Sequence, residues 1–286
     1  MTAKSLTYHE GVWHEGNPPI LGPMDHSWWM ASSVFDGARA FGGLAPDLDR
    51  HCARAIRSAE SVGIEPGMDG PAIEALCWDG IERFDARAEL YIRPMFYFTG
   101  GFVVPDYAAA RFLLTIFESP LPEWRGLTAC LVPFRRPSPE MAPTDAKASC
   151  LYPNVVRCMT AARKRGCDTA MVLDPDGNVA EFATNNLFMA SGGVVKTPAA
   201  NGCFLAGITR ARVIGLLRGA GVHVEETTLS VEDVLAADEV FLTGNYSKVL
   251  PIARVEERSY QEGPLARLAR DLYFEFAERE GRRRAA

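Results

Sequence analysis

TDAKASCLYPN, residues 144–154, places a lysine among small neighbours, with Asp145 as the nearest opposite charge. Lysine is scarce in this 286-residue chain: Lys4, Lys147, Lys164, Lys196 and Lys248 stand against 25 arginines. A lone lysine is most often a solvated surface charge. Lys147, however, has Ala146, Ala148 and Ser149 around it, and a helix start follows at Tyr152-Pro153. Desolvation disfavours an ammonium and lowers its pKa, and a lysine so tuned serves as a nucleophile or a Schiff-base former. The local residues leave both readings open.

The composition sets limits on the function. A net charge of −6 with 48 % hydrophobic and 23 % charged residues is that of an ordinary globular chain. It argues against non-specific nucleic-acid binding, which needs a basic surface. The seven cysteines are scattered without a Cys-x-x-Cys pair. They are expected to be free thiols in a reducing compartment, which points to the cytoplasm. The start MTAKSLTYHEG has no apolar core of a signal peptide, no apolar run reaches membrane-spanning length, and no metal site is expected. The tail GRRRAA, residues 281–286, reads as a frayed helix terminus.

Along the chain, SLTYHEGVWHEG reads as a hairpin and SSVFDGARAFGG as a second short strand pair. Residues 45–64 form a helix, with Leu48, Cys52, Ala55, Ala59 and Val62 on one face and Arg50, Arg54 and Arg57 on the other. Residues 70–84 form a second helix with Pro71 in its first turn. AELYIRPMFYFTG and ARFLLTIFES are strands. SPLPEWRGLT then breaks the pattern. This gives an N-terminal α/β domain over 1–118, a linker over 119–127 and a C-terminal α/β domain over 128–286 that carries Lys147. The second domain holds a helix from Pro153 to Gly166 and a hairpin around Asp176-Gly177-Asn178. Helices follow at 207–221 and, with a capping box at Ser230 and Asp233, at 230–237. The C-terminal helix buries Leu265, Leu268, Ala269, Leu272 and Phe276. Without strict strand–helix alternation, mixed or antiparallel sheets are expected rather than a doubly wound fold.

Four further features could carry chemistry. Glu181, between Ala180 and Phe182, is either solvated or turned inward toward a protonated partner such as a ring nitrogen. Gly207, Ile208 and Thr209 start a helix, where free N–H groups suit a phosphate, and Thr243, Gly244 and Asn245 could form an anion nest. Arg54 could pair with an anion or lie in a surface salt bridge. Tyr91 and Arg93, two apart on a strand, face one side and suit a carboxylate, or else form an exposed strand face.

Taken in order, SVFDGARAF, His51-x-x-Arg54, YIRP, DAKASCLY, GNVAEFATNNLF, GITRARV and TGNYSKV match a known family in nearly the whole chain. The chain resembles the fold-type IV pyridoxal-phosphate (PLP) enzymes, closest to the branched-chain aminotransferases. The resemblance implies two α/β domains of mixed or antiparallel sheet with PLP in the cleft, in a D-amino-acid-aminotransferase-like fold. It implies a cytoplasmic homodimer. Lys147 would be the Schiff-base lysine, Tyr152 a phenol bonded to the cofactor's ring oxygen and Glu181 the partner of the ring nitrogen. Arg54, Ile208, Thr209 and Asn245 would cradle the phosphate. Phe35, Gly37, Tyr91, Arg93, Asn245 and Tyr246 would line the substrate pocket. The implied reaction moves an amino group between a branched-chain or related hydrophobic amino acid and a 2-keto acid in a ping-pong cycle. Met30, Asn185 and Asn245-Tyr246 depart from the branched-chain pattern in the pocket. They keep open a D-amino-acid or (R)-amine transaminase, and a 4-amino-4-deoxychorismate-type lyase shares the fold.

Overall fold

The structure, a computed structural model, describes residues 4–282. Residues 1–3, and with them the first part of the expected leaderless N-terminus, lie outside the described residues, as do residues 283–286 of the basic tail. The chain divides into two compact units. One comprises residues 1–121, 146–150 and 277–286, and the other residues 122–145 and 151–276. The expected boundary ran through 119–127 with Lys147 in the second domain. In the structure the lysine segment instead packs with the first unit. Ala148 bridges Val34, the Phe35 N–H donates to the Lys147 carbonyl at 3.1 Å, and the Ser33 hydroxyl donates to Ser149 Oγ at 2.7 Å.

The first unit holds β1 (Ser5–His9), β2 (Val12–Glu15), α1 (His26–Met30), β3 (Ser33–Phe35) and β4 (Ala38–Ala40). It continues with α2 (Leu48–Ser61), α3 (Gly70–Ile81), β5 (Leu90–Phe98) and β6 (Ala110–Glu118). Its antiparallel sheet runs β2-β1-β6-β5-β3, with β4 also on β5. The expected β1–β2 hairpin is present. SVFDGARA is not a hairpin, however: β3 and β4 lie one after the other along β5, against Met95–Tyr97 and Leu90–Ile92. The break falls at Asp36-Gly37, opposite Pro94. That proline accepts from the Asp36 N–H at 2.9 Å but has no N–H to return, so the ladder cannot run through. The α2 stripe is as expected for Leu48, Cys52, Ala55 and Ala59, all buried. Arg54, placed on the outer face by its spacing with Arg50, is buried instead.

The second unit holds β7 (Leu127–Arg135), α4 (Tyr152–Lys164), β8 (Thr169–Leu173), β9 (Val179–Phe182), β10 (Asn186–Ser191) and β11 (Val194–Pro198). Then come α5 (Ile208–Gly219), β12 (Val224–Thr227), α6 (Val231–Ala236), β13 (Glu239–Gly244), β14 (Lys248–Val255), β15 (Arg258–Ser259) and α7 (Pro264–Glu280). Its sheet runs β12-β11-β10-β13-β14-β7-β8-β9, with β15 on β14. The pairs β11–β12, β14–β7 and β7–β8 are parallel and the rest antiparallel, so the sheet is mixed. Near-continuous apolar runs such as Phe188, Met189 and Ala190 are buried, as strands covered on both faces require. The α6 capping box forms as its Ser-x-x-Asp spacing predicts. In α7 the buried positions are Ala266, Ala269, Tyr273, Phe276 and Ala277, while Leu265, Leu268 and Leu272 are only partly covered. The small alanines allow close approach to the sheet, and the leucines flank the contact.

The start of α7 is capped from a distance. Glu239, buried on β13, accepts from the Leu265 N–H at 3.2 Å and the Ala266 N–H at 3.0 Å. A carboxylate at a helix N-terminus satisfies orphan donors and meets the positive end of the helix dipole. Glu239→Ala should therefore destabilise the protein by about 1–3 kcal/mol, read as a lower urea midpoint at unchanged slope.

Candidate active site

In the first unit, Lys147 is fixed at its backbone before its side chain is considered. Its N–H donates to Ser58 Oγ on α2 at 3.1 Å, and its carbonyl accepts from Phe35. Its Nζ lies 4.8 Å from the centroid of the Phe35 ring. The residue is half-buried, with buried Ala146 and Ala148 on either side. The amine thus sits on an aromatic face, on a half-buried residue.

Arg54 takes part in a buried ion-pair cluster. Asp36 Oδ2 accepts from Arg54 Nε at 2.6 Å, and Asp36 Oδ1 accepts from Arg54 Nη2 at 2.9 Å. His51 Nδ1 donates to the same Oδ1 at 2.7 Å, and the Gly37 N–H does so at 2.7 Å. Burial pushes the Asp36 carboxyl up, but Arg54 and His51 together outweigh it and hold the group below the usual carboxylate range. The histidine and arginine three apart on α2 therefore share one carboxylate, which sets the plane of the guanidinium. Asp36 is a residue that the sequence reading left out. Its signal was its place in SVFDG, but only the fold shows that it faces α2.

Gly37 and Tyr91 meet directly. A Cβ on Gly37 would lie 2.1 Å from Tyr91 Oη, so only glycine admits the phenol there. The Tyr91 ring stacks on Phe117 at 5.3 Å, and the Arg93 guanidinium lies 5.5 Å from that same ring's centroid. Tyr91 and Arg93 therefore share one face, as their i, i+2 spacing requires. Arg93 opens on a groove of about 1000 Å³ lined also by Lys4, Asn17, Thr115 and Phe117. Its Nε is buried without a hydrogen-bond partner among the described residues.

In the second unit, Glu181 on β9 is 6 % exposed, which selects the inward alternative. Its Oε1 lies 3.2 Å from Arg136 Nε, and its Oε2 accepts from Asn186 Nδ2 at 3.2 Å. Asn186 also donates to the Leu205 carbonyl at 3.2 Å. Arg136 and Asn186 were not singled out from the sequence. Arg136 follows the end of β7 in a Pro-flanked Arg-Arg pair, and no period or motif ties it to Glu181.

Ile208 opens α5 behind Gly207, whose extended conformation provides no side-chain cap. The N-cap therefore offers no side-chain acceptor to the first-turn amides, a setting that suits an anion. A Cβ on Gly207 would lie 2.0 Å from Asn186 Oδ1, so the glycine lets this helix end approach β10. Thr209 is buried in that turn. Asn245 and Tyr246 occupy the turn between β13 and β14. Tyr246 is 53 % exposed, whereas Asn245 Nδ2 is buried and, like Thr243 Oγ1, has no hydrogen-bond partner among the described residues. Tyr152 opens α4, half-buried against its core. These features fit an anionic, ring-bearing group. First-turn amides without an N-cap side chain and the orphan donors at Thr243 and Asn245 suit oxygen atoms, and the inward carboxylate of Glu181 suits a ring nitrogen.

The amino-transferase class IV family model matches residues 33–255. An aminotransferase from Brucella abortus, solved bound to the cofactor PLP, is 48 % identical, with a TM-score of 0.94 over 96 % of this chain and 99 % of that one. A branched-chain aminotransferase from Thermoproteus uzoniensis, solved with norvaline, is 27 % identical, with a TM-score of 0.90 over 97 % of this chain and 96 % of that one. The branched-chain-amino-acid aminotransferase of Escherichia coli is 28 % identical over 96 % of this chain and 94 % of its own length.

Removing the charge from the first unit's cluster tests its role. Asp36→Asn leaves Arg54 buried without its counter-ion and should cost about 3–5 kcal/mol in denaturant unfolding. The wild-type contribution has a defined pH window. The folded-state pKa lies below the ordinary 3.8, so the stabilisation is complete above that value. It is lost as the pH falls from there toward the folded-state value, and Asp36→Asn should lack this acid-dependent component.

Proposed function

The chain belongs to the class IV aminotransferase family, and from that membership we propose that it is a PLP-dependent transaminase acting on branched-chain or related hydrophobic L-amino acids. The observation that carries the reading is the buried Glu181 carboxylate, paired with Arg136 and hydrogen-bonded by Asn186. A carboxylate in that setting favours a protonated nitrogen facing it.

When bound, PLP supplies an electron-withdrawing ring that stabilises negative charge at the substrate's α-carbon. Lys147 would hold the cofactor through Nζ, and the same amine, when free, would be the base that moves the substrate's α-proton. Glu181 would face the ring nitrogen and favour its protonated form. The α5 amides at Ile208 and Thr209, Arg54 and Asn245 would supply donors for the phosphate, and Tyr152 a phenol for the ring oxygen.

For the substrate, the faces of Phe35, Tyr91 and Phe117 offer apolar contact, and Arg93 beside them offers a cation for the carboxylate of a keto acid such as 2-oxoglutarate. Gly37 admits Tyr91, and Asn245 and Tyr246 of the second unit are proposed as further substrate-lining residues. The free state of all seven cysteines fits a cytoplasmic enzyme, and no described helix is long and apolar enough to cross a membrane. The exposed Trp28, Trp29 and Phe102 fit burial in a homodimer.

Two measurements test this. Borohydride reduction of the PLP-loaded enzyme should attach the cofactor's mass to the peptide carrying Lys147, and Lys147→Ala should lose that adduct and about 10²–10⁴-fold or more in turnover. A donor panel with 2-oxoglutarate should show turnover of L-leucine well above D-alanine and (R)-1-phenylethylamine. Brisk (R)-amine turnover with none of L-leucine would overturn the substrate class. Release of pyruvate without any amino acceptor would make the enzyme a lyase.

A further inference from the structure

Lys248 has no role in the chemistry above, yet it is one of the largest fully buried side chains in the protein. It stands at the first position of β14 with φ of 61°, a left-handed conformation that a residue with a side chain rarely adopts. That conformation turns the chain inward directly after the 245–247 turn. Its Nζ lies 5.2 Å from the centroid of the Tyr273 ring on α7 and donates to Asn245 Oδ1 at 2.9 Å. Burying an ammonium is costly and leaving a backbone in the left-handed region adds to that cost, so a compensating function is expected.

The contact decides which way Asn245 faces. A carboxamide has one accepting and one donating end, and the two ends are otherwise interchangeable in shape. An ammonium has only N–H to give, so the end beside Lys248 must be Oδ1. The NH₂ group is then turned away from the lysine, and it is this Nδ2 that is buried without a partner. Thr243, two residues earlier on the same strand and fully buried, presents an Oγ1 that is likewise unpartnered among the described residues. Gly244 between them is braced from the other side, since a Cβ there would lie 2.2 Å from Asn185 Nδ2.

We propose that Lys248 is a positioning residue that locks the Asn245 carboxamide with its NH₂ directed at a ligand oxyanion. This rests on the transaminase reading above and deepens it. The oxyanion is either the phosphate of PLP or the carboxylate of the substrate, two sources of one chemistry. The Asn245–Lys248 pair supplies an oriented amide, braced from behind by the Lys248 Nζ–H.

The test uses Lys248→Met, which keeps length and apolar volume, Lys248→Arg, which keeps the donor, and Asn245→Leu, which removes the amide. Each is measured as full-length protein by PLP titration of the apoenzyme, followed by absorbance, and by steady-state kinetics. If Nδ2 serves the phosphate, Lys248→Met and Asn245→Leu should each weaken PLP binding about tenfold or more, and inorganic phosphate should compete less well with PLP. If it serves the substrate, PLP affinity should hold while KM for L-leucine and 2-oxoglutarate rises about tenfold or more, with little change in kcat. In either case Lys248→Arg should recover most of the loss, and Lys248→Met added to Asn245→Leu should have no further effect.

Additive losses in the double variant, or Lys248→Met within twofold of wild type in both readouts, would overturn the inference. If Lys248→Met does not fold, Asn245→Leu alone decides: unchanged PLP affinity and KM there overturn it too. Wild-type protein that takes up no PLP would instead overturn the transaminase reading itself.

Discussion

A carboxylate taken out of water must be met by cations or hydrogen-bond donors, and each of the two units is arranged around that requirement. Asp36 and Glu181 are both buried, one in each compact unit. Asp36 is met by Arg54, His51 and its own chain neighbour, and Glu181 by Arg136 and Asn186. The two clusters do different work. Around Asp36 the donors exhaust the carboxylate, so the carboxylate orients an arginine. Around Glu181 two donors hold the carboxylate inward on β9, where the proposed reading sets it against the cofactor's ring nitrogen.

The backbone prepares these side chains. Pro94 interrupts the ladder on β5, and the interruption places Asp36 and Gly37 where a regular strand would have carried them past. The same strand carries Tyr91 into the space that Gly37 leaves. The lysine segment is held by three polar contacts along its backbone and Ser149, so Nζ extends from a fixed base. In the other unit, Gly207 lets the start of α5 approach Asn186, the same residue that orients Glu181. A small number of glycines and one proline thus fix the positions of the polar groups.

Much of this was legible in the sequence, and what was missed has a common cause. The α2 stripe, the β1–β2 hairpin, the Asp-Gly turn and the α6 capping box follow from local periodicity and cap chemistry. The mixed sheet followed from the absence of strand–helix alternation. Lys147 and Glu181 each carried two open readings from local residues alone. Their order among seven motifs pointed to a family, and burial then selected the inward reading for Glu181. Arg136, Asp36 and Lys248 remained unmarked because their partners are set by tertiary contacts rather than by spacing. Arg54 was placed on the outer face because the period with Arg50 and Arg57 is real, but Asp36 draws it inward. In α7 Ala269 and Phe276 are buried as expected, but Ala266 and Tyr273 take the deepest places beside them, and Leu265, Leu268 and Leu272 are only partly covered.

The central claim is that Glu181, held by Arg136 and Asn186, keeps the cofactor's ring nitrogen protonated. The most direct measurement is the ¹⁵N chemical shift of ring-labelled PLP bound to the enzyme, in wild type and in Glu181→Gln. The account predicts a protonated ring nitrogen in the wild type and an unprotonated one in the variant at the same pH. An unprotonated nitrogen in the wild-type enzyme, or the same protonated state in both, would contradict it.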